Sequence, residues 1–420
     1  MPVSTARLQS LQAHLGSPKA SKMPYEIVPS KASLKPEKFT AHVSDEELND
    51  FKQLLKLSKI GPKTYENQDN DFNRYLGIKR EWLSDAKKHW ETSYDWRKTE
   101  ERINSFPNFT VKIEDIDVHF MALFSKKADA VPITFLHGWP GSFLEFLSVC
   151  DVFRQKYSEG DLPVHIIVPS LPGYGYSSGP PLDRDYTVFD LARIIDQLMK
   201  GLGFEDGYIS QGGDIGSMVS RVLGGKYNAC KAVHLNFCIG APKPNPDNPL
   251  EGLSDVEKRG LARANDFNTL GSAYARMHGT RPATIGLVLS SSPLALLAWI
   301  GEKFQVWTDT DPTLDEILDS VSLYWFTESF PRAIFPYREF QTPEATPVHS
   351  DPELMIRSPK YLGYSYYPME LAPMPKSWVK KTGDLVWYRE HTEGGHFAAM
   401  EKPKLFAQDM EDFIREVWKK

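Results

Sequence analysis

The sequence predicts an α/β protein: a mostly parallel central sheet flanked by helices, with an inserted helical cap and an N-terminal helical extension. Two observations carry that class. Between residues 108 and 240, apolar runs of strand length alternate with segments of helical period, the pattern of βαβ units. After Gly240 the alternation gives way to a Pro-rich segment and a long helical stretch ending near Phe335, then resumes from Tyr361, so an insertion interrupts the sheet. On this pattern the 420 residues divide into an extension and helical meander (1–107), the first part of the core (108–240), the cap (241–340) and the second part of the core (341–420).

Element by element, residues 1 to about 40 are rich in Ser, Lys and Pro, with one apolar period at Leu8, Leu11 and Leu15, and read as a wrapping extension. Ser44-Asp45-Glu46-Glu47 has the form of a capped helix start, and Phe51, Leu54, Leu55 and Leu57 give the helix an apolar face. Helical text continues through Trp82, Trp90 and Trp96. At Asn108 the period changes to two: Phe109, Val111, Ile113 and Ile116, Val118, Phe120 alternate across Glu114-Asp115, which predicts a hairpin. Strands follow at 133–136, 164–168, 207–210 and 232–237, with helices from Ser142, over 187–202 and over 217–223. Beyond the cap, strands are expected at 361–367 and 385–389, and a last helix over 403–418.

Composition excludes several classes. Lys+Arg 49 against Asp+Glu 55 leaves a formal charge of −6, which argues against a nucleic-acid partner. Cys150, Cys230 and Cys238 form no C-x-x-C pair and point to a reduced, intracellular chain. The longest apolar stretch, 287–300, is broken by Ser290, Ser291, Ser292 and Pro293, short of the roughly 20 apolar residues that span a bilayer. A soluble, cytoplasmic protein without a membrane anchor is therefore expected. Residues 1–25 hold no acidic side chain, but Arg7, Lys19 and Lys22 precede no apolar core, which argues against a secretory signal and leaves an organellar targeting segment open.

The sharpest chemical signal is Gln211-Gly212-Gly213-Asp214-Ile215-Gly216, after a predicted strand and before a predicted helix. It has the G-x-D-x-G form of a nucleophile elbow with Asp in the nucleophile position. A carboxylate there attacks carbon and forms an ester with the enzyme. The competing reading is a glycine turn with a helix-capping Asp. Downstream, Glu393-Gly394-Gly395-His396-Phe397 sits between the last strand and the last helix, where the order nucleophile, acid, His wants a base. For the acid, Glu370 ends a strand, whereas Asp384 opens one and reads as a Thr-Gly-Asp turn. The turn His137-Gly138-Trp139-Pro140-Gly141 supplies backbone N–H groups, Trp139 among them, that can join that of Ile215 in an oxyanion hole. Gly173-Tyr174-Gly175-Tyr176-Ser177-Ser178 lacks the third glycine of a dinucleotide fingerprint, and no Walker A motif exists. His391 and His396 lack H-E-x-x-H spacing, so neither metal nor cofactor is expected.

Taken together, His137-Gly138-Trp139-Pro140-Gly141-Ser142, the Asp elbow, Thr327-Glu328-Ser329-Phe330-Pro331-Arg332 and Gly394-Gly395-His396-Phe397 resemble the microsomal-type epoxide hydrolases. The resemblance runs from about Pro24 to the end, and without a preceding anchor the chain is most similar to the soluble fungal members. It implies an α/β-hydrolase fold with a helical lid, a small-molecule epoxide as substrate, and two lid tyrosines that grip the oxirane oxygen. Carried over by motif, Asp214 matches the nucleophile, His396 the base and Glu370 the acid. The first tyrosine matches Tyr274, in Ala273-Tyr274-Ala275 ahead of Thr280-Arg281-Pro282, and the second matches Tyr337, in Pro336-Tyr337-Arg338-Glu339. Soluble members often carry Asp at the acid position; Glu370 here is the choice of the membrane-bound ones. A homodimer stays open as a partner.

The nearest chemical rival is a haloalkane dehalogenase-like hydrolase, which also uses Asp but commonly follows it with a halide-binding Trp, where this chain has Ile215. A serine esterase is disfavoured because the elbow has no Ser. A catalytically inactive hydrolase fold used for binding is the rival from another class, and the intact nucleophile, base and acid weigh against it.

Overall fold

Strands Val131–Leu136 and Val164–Pro169 bury every residue, as central parallel strands covered on both faces must. They lie in the middle of the sheet of the computed structural model, which describes residues 23–69, 75–340 and 346–418. The leucine-periodic extension and all but the end of the targeting question therefore lie outside the described residues. The strands are β1 (Glu37–Phe39), β2 (Asn108–Ile113), β3 (Ile116–Leu123), β4 (Val131–Leu136), β5 (Val164–Pro169), β6 (Tyr208–Gly212), β7 (Cys230–Leu235), β8 (Tyr361–Tyr366) and β9 (Leu385–Glu390). Among the described residues they form one sheet in the order β1-β2-β3-β5-β4-β6-β7-β8-β9. Pairing is antiparallel from β1 to β5 and parallel from β5 through β4 to β9. This is an α/β-hydrolase fold.

The hairpin follows from the alternation of its side chains: Val111 faces Val118 and Ile113 faces Ile116 across Glu114-Asp115, with Glu114 in the left-handed region at φ 54°. β1 corrects the sequence reading, which left residues 37–39 in the extension. Three residues are too few to show a period, but they pair with β2 from Glu37↔Thr110 to Phe39↔Asn108. A second correction concerns the helix after the elbow, expected from Ser217. It spans Asp214–Lys226, because the Gly213 carbonyl already accepts the Ser217 N–H at 2.9 Å.

Helices Val188–Met199 and Asp214–Lys226 cover one face of the sheet; Leu147–Lys156 and Pro403–Val417 cover the other, each face with its own apolar core. Strand order reverses at β4, with β5 on one side and β6 on the other, and crevices for ligands open at the C-terminal ends of strands at such a point. The cap between β7 and β8 holds Asp255–Asp266, Ala273–Thr280, Pro282–Leu289, Pro293–Val306 and Leu314–Phe326, then two short helices, Phe330–Ala333 and Tyr337–Phe340.

The N-terminal helices pack against the cap. Phe51 of Asp45–Leu57 packs on Phe326 with ring centres 5.2 Å apart, and Trp90 of Arg80–Thr92 donates from Nε1 to Ser322 Oγ at 3.2 Å. All three cysteines are buried thiols. No single helix among the described residues is long and apolar enough to cross a membrane.

Candidate active site

The elbow is strained for a steric reason. Asp214 adopts φ 45°, a left-handed conformation rare for a residue with a Cβ, at the junction of β6 and its helix. The turn closes only because its neighbours are small: a Cβ on Gly216 would overlap the Leu136 carbonyl, and one on Gly138 would overlap the Asp214 carboxylate. β4 and β6 are neighbours in register, Leu136 beside Gly212, so the turn after β4 meets the elbow after β6. There the Trp139 N–H donates to Asp214 Oδ1 at 2.8 Å.

Glu370 and His396 arrive from the ends of the last two strands. Past β8 and β9 a bridge between Met369 and Gly395 holds the two loops side by side. His396 Nδ1 donates to Glu370 Oε1 at 2.6 Å, while Nε2 faces Asp214 Oδ2 at 3.5 Å. Both side chains are buried, and the His396 N–H donates to the cap carbonyl of Trp307 at 2.9 Å. Burial alone would push the imidazole pKa down. The carboxylates of Glu370 and Asp214 prevail, and the ring holds its proton well above the ordinary histidine value. Asp384 lies elsewhere, accepting the Ser358 N–H at 2.6 Å, and His391 pairs with Asp409 at 2.7 Å instead of with His396.

The cap brings Tyr274 and Tyr337 over Asp214, His396 and Glu370. Both are buried, their rings 5.8 Å apart edge to face, and Trp139 stacks on Tyr274 at 5.1 Å. Burial first, then nearby charge including Asp214, raises both phenols well above the ordinary tyrosine value, so they are protonated at neutral pH. Asp214, Ile215, Met218, Phe237, Tyr274 and Tyr337 border a cavity of about 750 Å³ between core and cap. The structure thus places the nucleophile candidate, both tyrosines and Ile215 around one space.

A second cavity, about 20 Å³, lies on the other side of Asp214 and is bordered by His396, Glu145, Gln211 and Asn236 with no cap residue. That volume is room for one water molecule. Burial pushes the Glu145 carboxyl up to about 8 although His396 pulls it down, and Gln211 Oε1 is buried without a protein partner. Sequence reasoning missed these walls. The one signal available was Ser142-x-x-Glu145, which caps a helix and says nothing about what lies behind it.

The family described as epoxide hydrolase N terminus matches residues 36–146, and that described as alpha/beta hydrolase fold matches residues 131–284. Epoxide hydrolase 1 of Sus scrofa is 30% identical over 415 residues, covering 90% of this chain and 88% of its own. The chain belongs to the epoxide hydrolase family. The solved structure of Aspergillus niger epoxide hydrolase is 53% identical to this epoxide hydrolase and superposes with a TM-score of 0.89, covering 94% of this chain and 100% of that one. Juvenile hormone epoxide hydrolase from the silkworm Bombyx mori is 25% identical, with a TM-score of 0.79 over 93% of this chain and 96% of that one.

Proposed function

We propose that this epoxide hydrolase converts its substrate to a vicinal diol through a covalent ester on Asp214. The observation that carries the reading is the position of the Asp214 carboxylate. One oxygen is held by the Trp139 N–H, the other faces His396, and the group borders the cavity that also holds two protonated phenols. An epoxide is a strained ring with a poor alkoxide leaving group, so opening it needs a nucleophile at carbon and a proton at oxygen.

Asp214 Oδ2 forms the bond to an epoxide carbon, the carbon–oxygen bond of the ring breaks, and its electron pair takes a proton from Tyr274 or Tyr337. Esterification removes the Asp214 charge, one of the two that hold the proton on His396. The imidazolium then gives up that proton, which restores the phenol and leaves a neutral base. Water in the small cavity loses a proton to His396 Nε2 and adds to the Asp214 carbonyl carbon, while the N–H groups of Trp139 and Ile215 hold the oxyanion on Oδ1. Collapse expels the diol oxygen, which takes the second proton of the water from the new carboxyl group, and returns the carboxylate and the imidazolium, oriented throughout by Glu370. Every atom is accounted for by epoxide and one water, with no cofactor.

The test is a single turnover in ¹⁸O water with enzyme in excess over a simple aryl epoxide. The ester route puts the label in the Asp214 carboxylate and leaves the first diol unlabelled; direct attack of water on the ring labels the diol and refutes the ester.

A further inference from the structure

Proton donation by a buried phenol leaves a phenolate in the same dry surroundings that raise its pKa, so the cap needs something to favour that charge. Lys303 stands at the right place. It lies on helix Pro293–Val306 and is only 4% exposed, yet its single ion pair among the described residues is with its neighbour Glu302, at 3.2 Å. Its ammonium sits against aromatic faces: 4.9 Å from the centre of the Tyr274 ring, 5.7 Å from Trp299 and 5.9 Å from Trp307. A buried lysine is costly to a fold, and a methionine would fill the same space without that cost.

The other titratable group of this cluster stays neutral. His278 packs edge to face with Tyr274 at 5.4 Å and Tyr337 at 4.9 Å, and its Nε2 accepts from Trp299 Nε1 at 3.0 Å. Burial, with Lys303 adding to it, pushes the imidazole down to about 3. Burial lowers the Lys303 ammonium below the ordinary lysine value, with Glu302 pulling it back up, and Lys303 is the basic group that faces the Tyr274 ring.

We propose that Lys303 is a positioning residue for ring opening: its ammonium, held against the face of Tyr274, stabilises the negative charge that grows on that ring as the phenol protonates the epoxide oxygen. The inference rests on Tyr274 being a proton donor. The attraction between an ammonium and a ring is modest while the phenol is neutral and strengthens as the ring becomes anionic, so it acts on the transition state more than on the resting enzyme.

The test follows formation and decay of the Asp214 ester by rapid quench and mass spectrometry, with full-length enzyme in excess over an aryl epoxide. Lys303→Met is expected to slow ester formation on the order of tenfold and to leave ester hydrolysis at the wild-type rate. In a Tyr274→Phe background the same substitution is expected to have no further effect. Glu302→Gln, which keeps the cation and removes its counter-charge, is expected not to slow ester formation. Equal slowing by Lys303→Met with and without the Tyr274 hydroxyl overturns the proposal, as does slowing by Glu302→Gln equal to that by Lys303→Met, which would make the ion pair a packing feature. If Tyr274→Phe alone forms ester at the wild-type rate, the donor assignment fails first and takes this role of Lys303 with it.

Discussion

Replacing His396 by Gln should stop the reaction half-way. Asp214, its Trp139 donor and the two phenols are untouched, so the ester still forms. What is lost is the proposed base: His396 borders the small cavity, and its Nε2 is 3.5 Å from Asp214 Oδ2. Positioned general bases are worth roughly 10²–10⁴ in rate, or about 3–5 kcal/mol on the barrier to hydrolysis. The Gln side chain retains an N–H for the buried Glu370, so the protein is expected to fold and to hold its ester for minutes or longer. Intact mass after exposure to an aryl epoxide should show one added epoxide per chain. Trypsin releases residues 201–221 as one peptide, in which Asp214 must be told from Glu205 and Asp206 by fragmentation. An adduct at any residue other than Asp214 would refute the reasoning, and so would a variant that accumulates none while wild type makes diol.

Tyr274→Phe and Tyr337→Phe should each slow ester formation by about 10- to 100-fold, and the double variant should form no ester, as read by rapid quench. Glu145→Gln should slow ester hydrolysis and not ester formation, because the carboxyl borders the water cavity and not the substrate cavity. Its titration has a stability consequence too: a carboxyl held protonated up to about 8 in the fold, against an ordinary 4.5, binds more protons folded than unfolded, so wild type should lose stability relative to Glu145→Gln as pH rises between those values in thermal melts. For His396 the folded value is raised, so its contribution is complete below an ordinary 6.5 and disappears as pH climbs through the raised value; the melting advantage of wild type over His396→Gln should shrink on the alkaline side. Gly216→Ala should cost about 1–3 kcal/mol in urea unfolding and most of the activity, since its Cβ must displace the Leu136 carbonyl.

Much of this was legible in the sequence because the relevant signals are local. Ser44 and Glu47 announced a helix and form the capping box expected of them. Two-residue alternation around Glu114-Asp115 announced a hairpin, and small residues around Asp214 announced a turn too tight for side chains. What was not legible depends on contacts between distant parts of the chain. Tyr274 and Tyr337 lie 63 positions apart, share no period, and could be picked out only by resemblance to a family. Glu145 carries a helix-capping signature that conceals its place on the wall of the water cavity, and Lys303 reads as the solvent-facing charge of a helix until the rings of Tyr274, Trp299 and Trp307 close over it.

The two cavities meet at Asp214, and among their lining residues it alone belongs to both. His396 lines the small one and not the large one, so, with His396 as the proposed base, the nucleophile placed best for deprotonation is one small enough to occupy about 20 Å³. An alcohol, thiol or amine crowded in beside the substrate is too bulky for that compartment. On the proposed mechanism chemoselectivity is then set by volume rather than by affinity: the ester should be cleaved to the diol and not to a glycol ether, even where water is the minority nucleophile.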